Sequence, residues 1–176
     1  MKLLIIQTSP CHTGSTLLVN ALYGLIPECS NKKIIGLWAK DFEKNFENII
    51  IVKCHNTNID ELIEKYNKYK VVFVCSERPQ KNKLIDPKYK KYNNTIVFSY
   101  KELNETNNNS LVKIVDNIYK KVKKVLPEDI QLDKTKCIER INNMNIRYQK
   151  IKDKPFTYVD PFFEIHGSHR NRSFDG

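Results

Sequence analysis

Four apolar runs stand out along the chain. Residues 3–6 (Leu3, Leu4, Ile5, Ile6) form an unbroken run that stops at Gln7. Residues 49–53, 71–75 and 95–99 repeat the pattern. Continuous apolar runs of this length predict strands of a parallel sheet buried on both faces. A further, weaker run at residues 34–38 predicts another strand. Between the runs the spacing changes to threes and fours. Leu17, Leu18, Ala21, Leu22 and Leu25 predict a helix stopped by Pro27, with Gly24 a blemish near its end. Asn58 and Glu61 have capping-box spacing ahead of Leu62, Ile63, Tyr66 and Tyr69, which predicts a helix over 58–69. Leu111, Ile114, Val115, Ile118, Val122 and Val125 form the stripe of a long helix ended by Pro127, and a less regular helix is expected over 133–151. Residues 79–94 read as a polar surface loop, and the last twenty residues show no period.

Strands alternating with helices predict an α/β fold of one domain over 1–176, with a central, mostly parallel sheet flanked by helices. Ligands of such sheets bind outside the carboxyl ends of the strands. The turns after Ile6, Val52, Cys75 and, if it ends a strand, Ile165 are therefore the places to look for chemistry.

Composition sharpens the picture modestly. An apolar share of 40% with nine tyrosines supports a packed core. The net charge of +10 would attract anionic ligands, but lysines scattered over wet faces are the simpler explanation. The run of lysines at 120–124 falls on the polar side of a helix, and no basic stretch interleaved with aromatics marks a specific nucleic-acid platform. Five cysteines without a CxxC pair suggest neither a disulfide framework nor zinc, so a cytoplasmic, reducing location is expected. The apolar start is too short for a signal peptide, and no run reaches the ~20 apolar residues of a membrane span.

The turn Ser9-Pro10-Cys11-His12-Thr13-Gly14-Ser15-Thr16 joins the first strand to the first helix. It keeps the frame of a Walker phosphate loop, with Ser9 at the first glycine, Gly14 at the second, Ser15 at the lysine and Thr16 at the hydroxyl position. Gly14 permits a tight turn. The amides of Gly14, Ser15, Thr16 and Leu17 face outward at a helix start, where the macrodipole favours an anion. His12 adds a donor. The missing lysine argues against an ordinary ATPase or kinase. The alternative is a simple helix cap by Thr13 or Ser15.

The segment SPCHTGSTLL resembles the 5′-phosphosulfate loop of sulfotransferases, whose Ser-Gly-Thr-Thr is matched by Thr13, Gly14, Ser15 and Thr16. His12 stands where that family has lysine, with one residue inserted after Pro10. Val52-Lys53-Cys54-His55 is similar to the family's Lys-Thr-His segment, which implies His55 as the base and Lys53 as the group steadying the sulfuryl. A histidine titrates near neutrality, as a general base requires, and Lys53 supplies a point charge. Val72 to Pro79 resembles the strand ending in an arginine that binds the donor's 3′-phosphate, which implies Arg78 in that role. The family's companion serine is absent, leaving Ser76 or Lys81 in its place. Ile96 to Leu103 is similar to the strand ending in Tyr-Glu-Asp-Leu.

The resemblance runs from Ser9 to Leu103 in the family's order, on a shorter chain. It implies a three-layer P-loop NTPase-like fold. It also implies 3′-phosphoadenosine 5′-phosphosulfate as co-substrate, a hydroxyl-bearing small molecule or glycan as acceptor, and no metal. Family members close the donor site with a late basic, glycine-containing stretch, which by role implies that part for His166, Ser168, His169 and Arg170 in the basic segment 155–176; the alternative is a frayed basic tail. The alternatives are a divergent P-loop kinase and a non-catalytic nucleotide-binding or anion-binding module.

Overall fold

The computed structural model describes residues 2–26, 49–54, 59–104 and 110–167. Strand β1 (Leu3–Thr8) lies at the centre of the architecture, and every residue in it is buried. Helix α1 (Ser15–Leu25) leads to β2 (Ile49–Cys54), which pairs parallel with β1 in the register Leu3↔Ile49 to Thr8↔Cys54. Helix α2 (Ile59–Lys65) then leads to β3 (Lys70–Glu77), which pairs parallel with the other edge of β1. After a 3-10 turn (Pro79–Lys81) and the short helix α3 (Pro87–Lys90), β4 (Thr95–Ser99) joins β3, again parallel. The described sheet thus has four strands in the order β2-β1-β3-β4. Helices α4 (Tyr100–Leu103), α5 (Leu111–Lys123) and α6 (Lys134–Ile151) follow. A small antiparallel hairpin of β5 (Val159–Asp160) and β6 (Ile165–His166) completes the described chain.

The alternation of side chains along β1 sorts the core into two layers. Leu3 and Ile5 pack with α1, α5, α6 and the hairpin. Leu4 and Ile6 pack with Ile59 and Leu62 of α2 and Tyr89 of α3. Helices therefore cover both faces of the sheet, which explains why the strands read as unbroken apolar runs.

Helix α1 lies against α6. A Cβ on Gly24 would stand 2.6 Å from the Cα of Cys137. This glycine is the point of closest approach between the two helices, not a flaw in the first. The Asp133 amide, just before α6, donates to the Leu25 carbonyl at 2.8 Å.

Three expectations change. Helix α2 stops at Lys65, and Tyr66 and Tyr69 fall in the following turn, where the Tyr69 amide donates to the Tyr66 carbonyl. Their burial comes from this turn and an edge-to-face contact at 5.3 Å rather than from a helical stripe, because β3 already begins at Lys70. Asn58 lies outside the described residues. The polar stretch 79–94 is partly helical: Asp86 accepts from the Lys88 amide at 2.9 Å and Pro87 opens α3. Ile165 belongs to a separate hairpin, so the turn beyond it is not a carboxyl end of the main sheet. The weak strand expected at 34–38 lies outside the described residues.

Candidate functional site

The chain leaves β1, crosses to β2 on one side and returns to β3 on the other. The carboxyl ends of β1 and β3 therefore flank the point where the strand order reverses, the usual ligand crevice of an open parallel sheet. The turn 9–14 fills this point. His12 and Gly14 both adopt left-handed backbone, at φ 64° and 94°. The glycine is required twice over, since a Cβ there would also stand 2.9 Å from the Cδ1 of Leu103.

Helix α1 starts at Ser15 with Gly14 as its cap residue, without a side-chain cap and without an acidic residue in its first turn. The first intrahelical bond is Leu18 N–H to the Gly14 carbonyl at 3.0 Å. The amides of Ser15, Thr16 and Leu17 have no acceptor among the described residues. Thr16 and Leu17 are half-buried and Ser15 is buried.

The hydroxyls around the turn are used internally. Ser9 Oγ accepts from the Gln7 side-chain amide at 2.7 Å and from the Ser76 backbone amide at 2.8 Å. Ser76 Oγ is 3.0 Å from Ser9 Oγ and 2.9 Å from Thr13 Oγ1. Thr13 also donates to the Pro10 carbonyl at 2.8 Å. Thr13 and Ser76 are fully buried, so their side chains shape the turn and leave contact with a ligand to the backbone.

Lys53 reaches the same place from β2. It stands opposite Gln7 in the register, on the face that carries α1. Its ammonium donates to Thr16 Oγ1 at 3.2 Å and pairs with Glu164 Oε2 at 3.2 Å. Arg78 continues past the end of β3. Its guanidinium lies 4.4 Å from the ring centre of Tyr100, at the start of α4. Its side chain has no hydrogen bond or ion pair with a described residue. Two residues along an extended chain separate it from Ser76 by about 7 Å.

The structure thus brings together His12, Thr13, Gly14, Ser15, Thr16, Leu17, Lys53 and Ser76, with Arg78 just beyond. His55 and Arg170, with Ser168 and His169, lie outside the described residues. His166 stacks on Phe156 at 4.7 Å and its Nδ1 is 3.1 Å from the Phe156 carbonyl. Among the described residues no cluster of three or more histidines, cysteines or acids is placed to hold a metal ion, and no helix is long and apolar enough to cross a membrane.

No family model, curated protein or solved structure matches the chain.

Sequence patterns did not reveal a polar layer behind the turn. Asn20 is fully buried within α1. It donates to the carbonyls of Thr16 at 2.9 Å and Phe163 at 2.8 Å, and accepts from Arg140 Nε at 3.1 Å. Arg140 also donates to the Phe162 carbonyl at 3.0 Å and faces the rings of Tyr23, Phe162 and Phe163. Burial lowers its basicity from the ordinary value. An asparagine amid the buried leucines of α1 was the available signal.

On the opposite face, a cleft of about 200 Å³ adjoins the turn between Ser9, Pro10, Ile59, Ile85 and Tyr89, with Asp86 beside them. A larger groove of about 710 Å³ beyond α5, near Pro127 and Leu132, is remote from these groups.

Proposed function

We propose that this chain binds the phosphate-bearing end of a nucleotide on the first turn of α1 and acts as a P-loop sulfotransferase-type protein. In this reading it transfers a sulfuryl group from 3′-phosphoadenosine 5′-phosphosulfate to a hydroxyl acceptor. The supporting observation is the start of α1 at the strand-order switch point, where the amides of Ser15, Thr16 and Leu17 have no acceptor among the described residues. Such a helix start favours an oxyanion by both its free donors and its dipole. Lys53 beside Thr16 supplies positive charge for the transferring group. Arg78, with its guanidinium 4.4 Å from the ring centre of Tyr100, carries a fork suited to the 3′-phosphate. His55 follows β2 by one residue and is the base of this scheme.

The test is thermal unfolding with adenosine 3′,5′-bisphosphate against ATP–Mg²⁺, followed by labelled sulfate transfer to a panel of sugars and small alcohols. Binding at a hundred times the dissociation constant stabilises by about 2.7 kcal/mol, which is readily visible. A rise with the bisphosphate alone supports the donor; no rise at saturation rejects it. A rise with ATP–Mg²⁺ alone points to a kinase instead.

A second reading, a non-catalytic binding module, is favoured by one observation. Lys53 is already engaged by Glu164 rather than open to a donor. Bisphosphate binding with no transfer to any acceptor would support it.

A further inference from the structure

Glu164 combines three features that a purely structural residue would avoid. It sits in the tight connection between β5 and β6 with φ 53°, in the left-handed region that favours glycine or asparagine. It is only 8% exposed. One carboxylate oxygen, Oε2, pairs with Lys53, while the other, Oε1, is buried without a hydrogen-bond partner among the described residues. A buried, half-satisfied carboxylate on a strained backbone is costly, and an ion pair of this kind is a poor source of stability.

The location gives this arrangement a meaning. Lys53 bridges Glu164 and the Thr16 hydroxyl, one residue into the helix start whose amides lack acceptors. The carboxylate is therefore an anion held beside an anion site. The hairpin that carries it is anchored independently. Asp160 accepts from the amides of Phe162 and Phe163 at 3.1 and 3.0 Å and pairs with Arg147 at 2.6 Å. The turn can hold its shape without the glutamate.

We propose that the Glu164 carboxylate, held beside the start of α1, competes with an oxyanion ligand for Lys53, the cation that flanks the first-turn amides. An incoming tetrahedral oxyanion takes Lys53 from it and loosens the strained connection around Glu164, while Asp160 keeps the frame of the hairpin. This inference rests on the reading of α1 as an anion site and adds how access to that site is controlled. The internal carboxylate competes with the ligand, so apparent affinity is reduced by the fraction of molecules in which it is seated. The strain at Glu164 and its orphan oxygen both ease on release, which lowers the cost of opening.

The experiment titrates inorganic sulfate and adenosine 3′,5′-bisphosphate into the full chain by calorimetry, and follows hydrogen exchange over 160–167 with and without anion. Glu164→Gln removes the competing charge. Glu164→Gly removes it and also suits the left-handed backbone, so a folding defect in the first variant does not obscure the result. The expected outcome is an affinity about tenfold higher in either variant for at least one anion, as for a carboxylate seated in nine molecules of ten. Faster exchange around Glu164 in the anion-bound wild type is expected alongside it. Equal or weaker binding by the variants, or unchanged exchange in the bound wild type, overturns the competition while leaving the anion site intact. Failure of all three proteins to bind either anion overturns both readings.

Discussion

Thr13 and Ser76, 63 residues apart, share a hydrogen bond of 2.9 Å between two fully buried hydroxyls. This contact ties the turn after β1 to the end of β3 across the point where strand order reverses. It fixes the path that lets Gly14 open helix α1.

Thr13→Val keeps the shape and removes the hydroxyl that bonds Ser76 and the Pro10 carbonyl. Leaving such groups unsatisfied costs about 1–3 kcal/mol. Urea denaturation should show that loss, and bisphosphate affinity should fall with it. Unchanged stability would mean that the turn holds its path without this bond.

Arg78→Ala should separate binding from folding. The residue is half-exposed, and its stacking on Tyr100 contributes only about 0.5–1 kcal/mol. Stability should change little. Preference for adenosine 3′,5′-bisphosphate over adenosine 5′-monophosphate should fall by about tenfold or more, since a bidentate charged contact is lost. Equal preference in both proteins would remove Arg78 from the site.

Cysteine labelling offers a quick probe of the turn. Burial pushes the thiols of Cys75 and Cys137 up to about 12, and Cys54 is also buried. Cys11 is exposed within the turn itself. Among these four, brief alkylation of the native protein should modify Cys11 first, as peptide mapping by mass spectrometry would record. Bound bisphosphate should slow that reaction.

Acid should weaken the fold partly through Glu102. Burial alone would raise its carboxyl, but hydrogen bonds from Lys121, the Ser99 amide and Asn117 outweigh burial and hold it down at about 2, against an ordinary 4.5. A carboxyl lowered by folding adds stability above its ordinary value, and that stability drains away as pH falls from 4.5 towards about 2. Glu102→Gln should flatten this part of the stability–pH curve, measured by urea midpoints. A curve of unchanged slope would contradict the assignment.

Gly24→Ala tests the helix contact. In an open helix this change gains about 1 kcal/mol. Here the new Cβ meets the Cys137 backbone at 2.6 Å, so α1 and α6 must part. Overpacking of this kind costs about 1–3 kcal/mol, and the net effect should be a lower melting temperature.

The strands of the main sheet were legible because helices cover both of its faces, so each is written around a run of three or more apolar residues, although alternate positions of β4 are only half-buried. Helix α1 was legible from Leu17 onwards. Its first turn carries no period at Ser15 and Thr16, and that the helix opens at Ser15 was expected only from the turn that precedes it. Gly24 was misread because its reason lies in α6, more than a hundred positions away. The polar layer was hidden for the same cause. Asn20 looks like an isolated polar residue in an apolar helix and Arg140 like one polar residue among several in α6, and only tertiary packing brings the two together. Glu164 between the buried Phe163 and Ile165 was the clearest local clue.

Asn20 has a consequence for biosynthesis. Its side-chain amide, near the start of the chain, is completed by the Phe163 carbonyl, and its oxygen by Arg140. A nascent polypeptide that has not yet emerged as far as Phe163 leaves that amide one acceptor short in an apolar surrounding. The first βα unit can collapse early, but its polar layer settles only once Phe163 has emerged, after most of the described residues have been made.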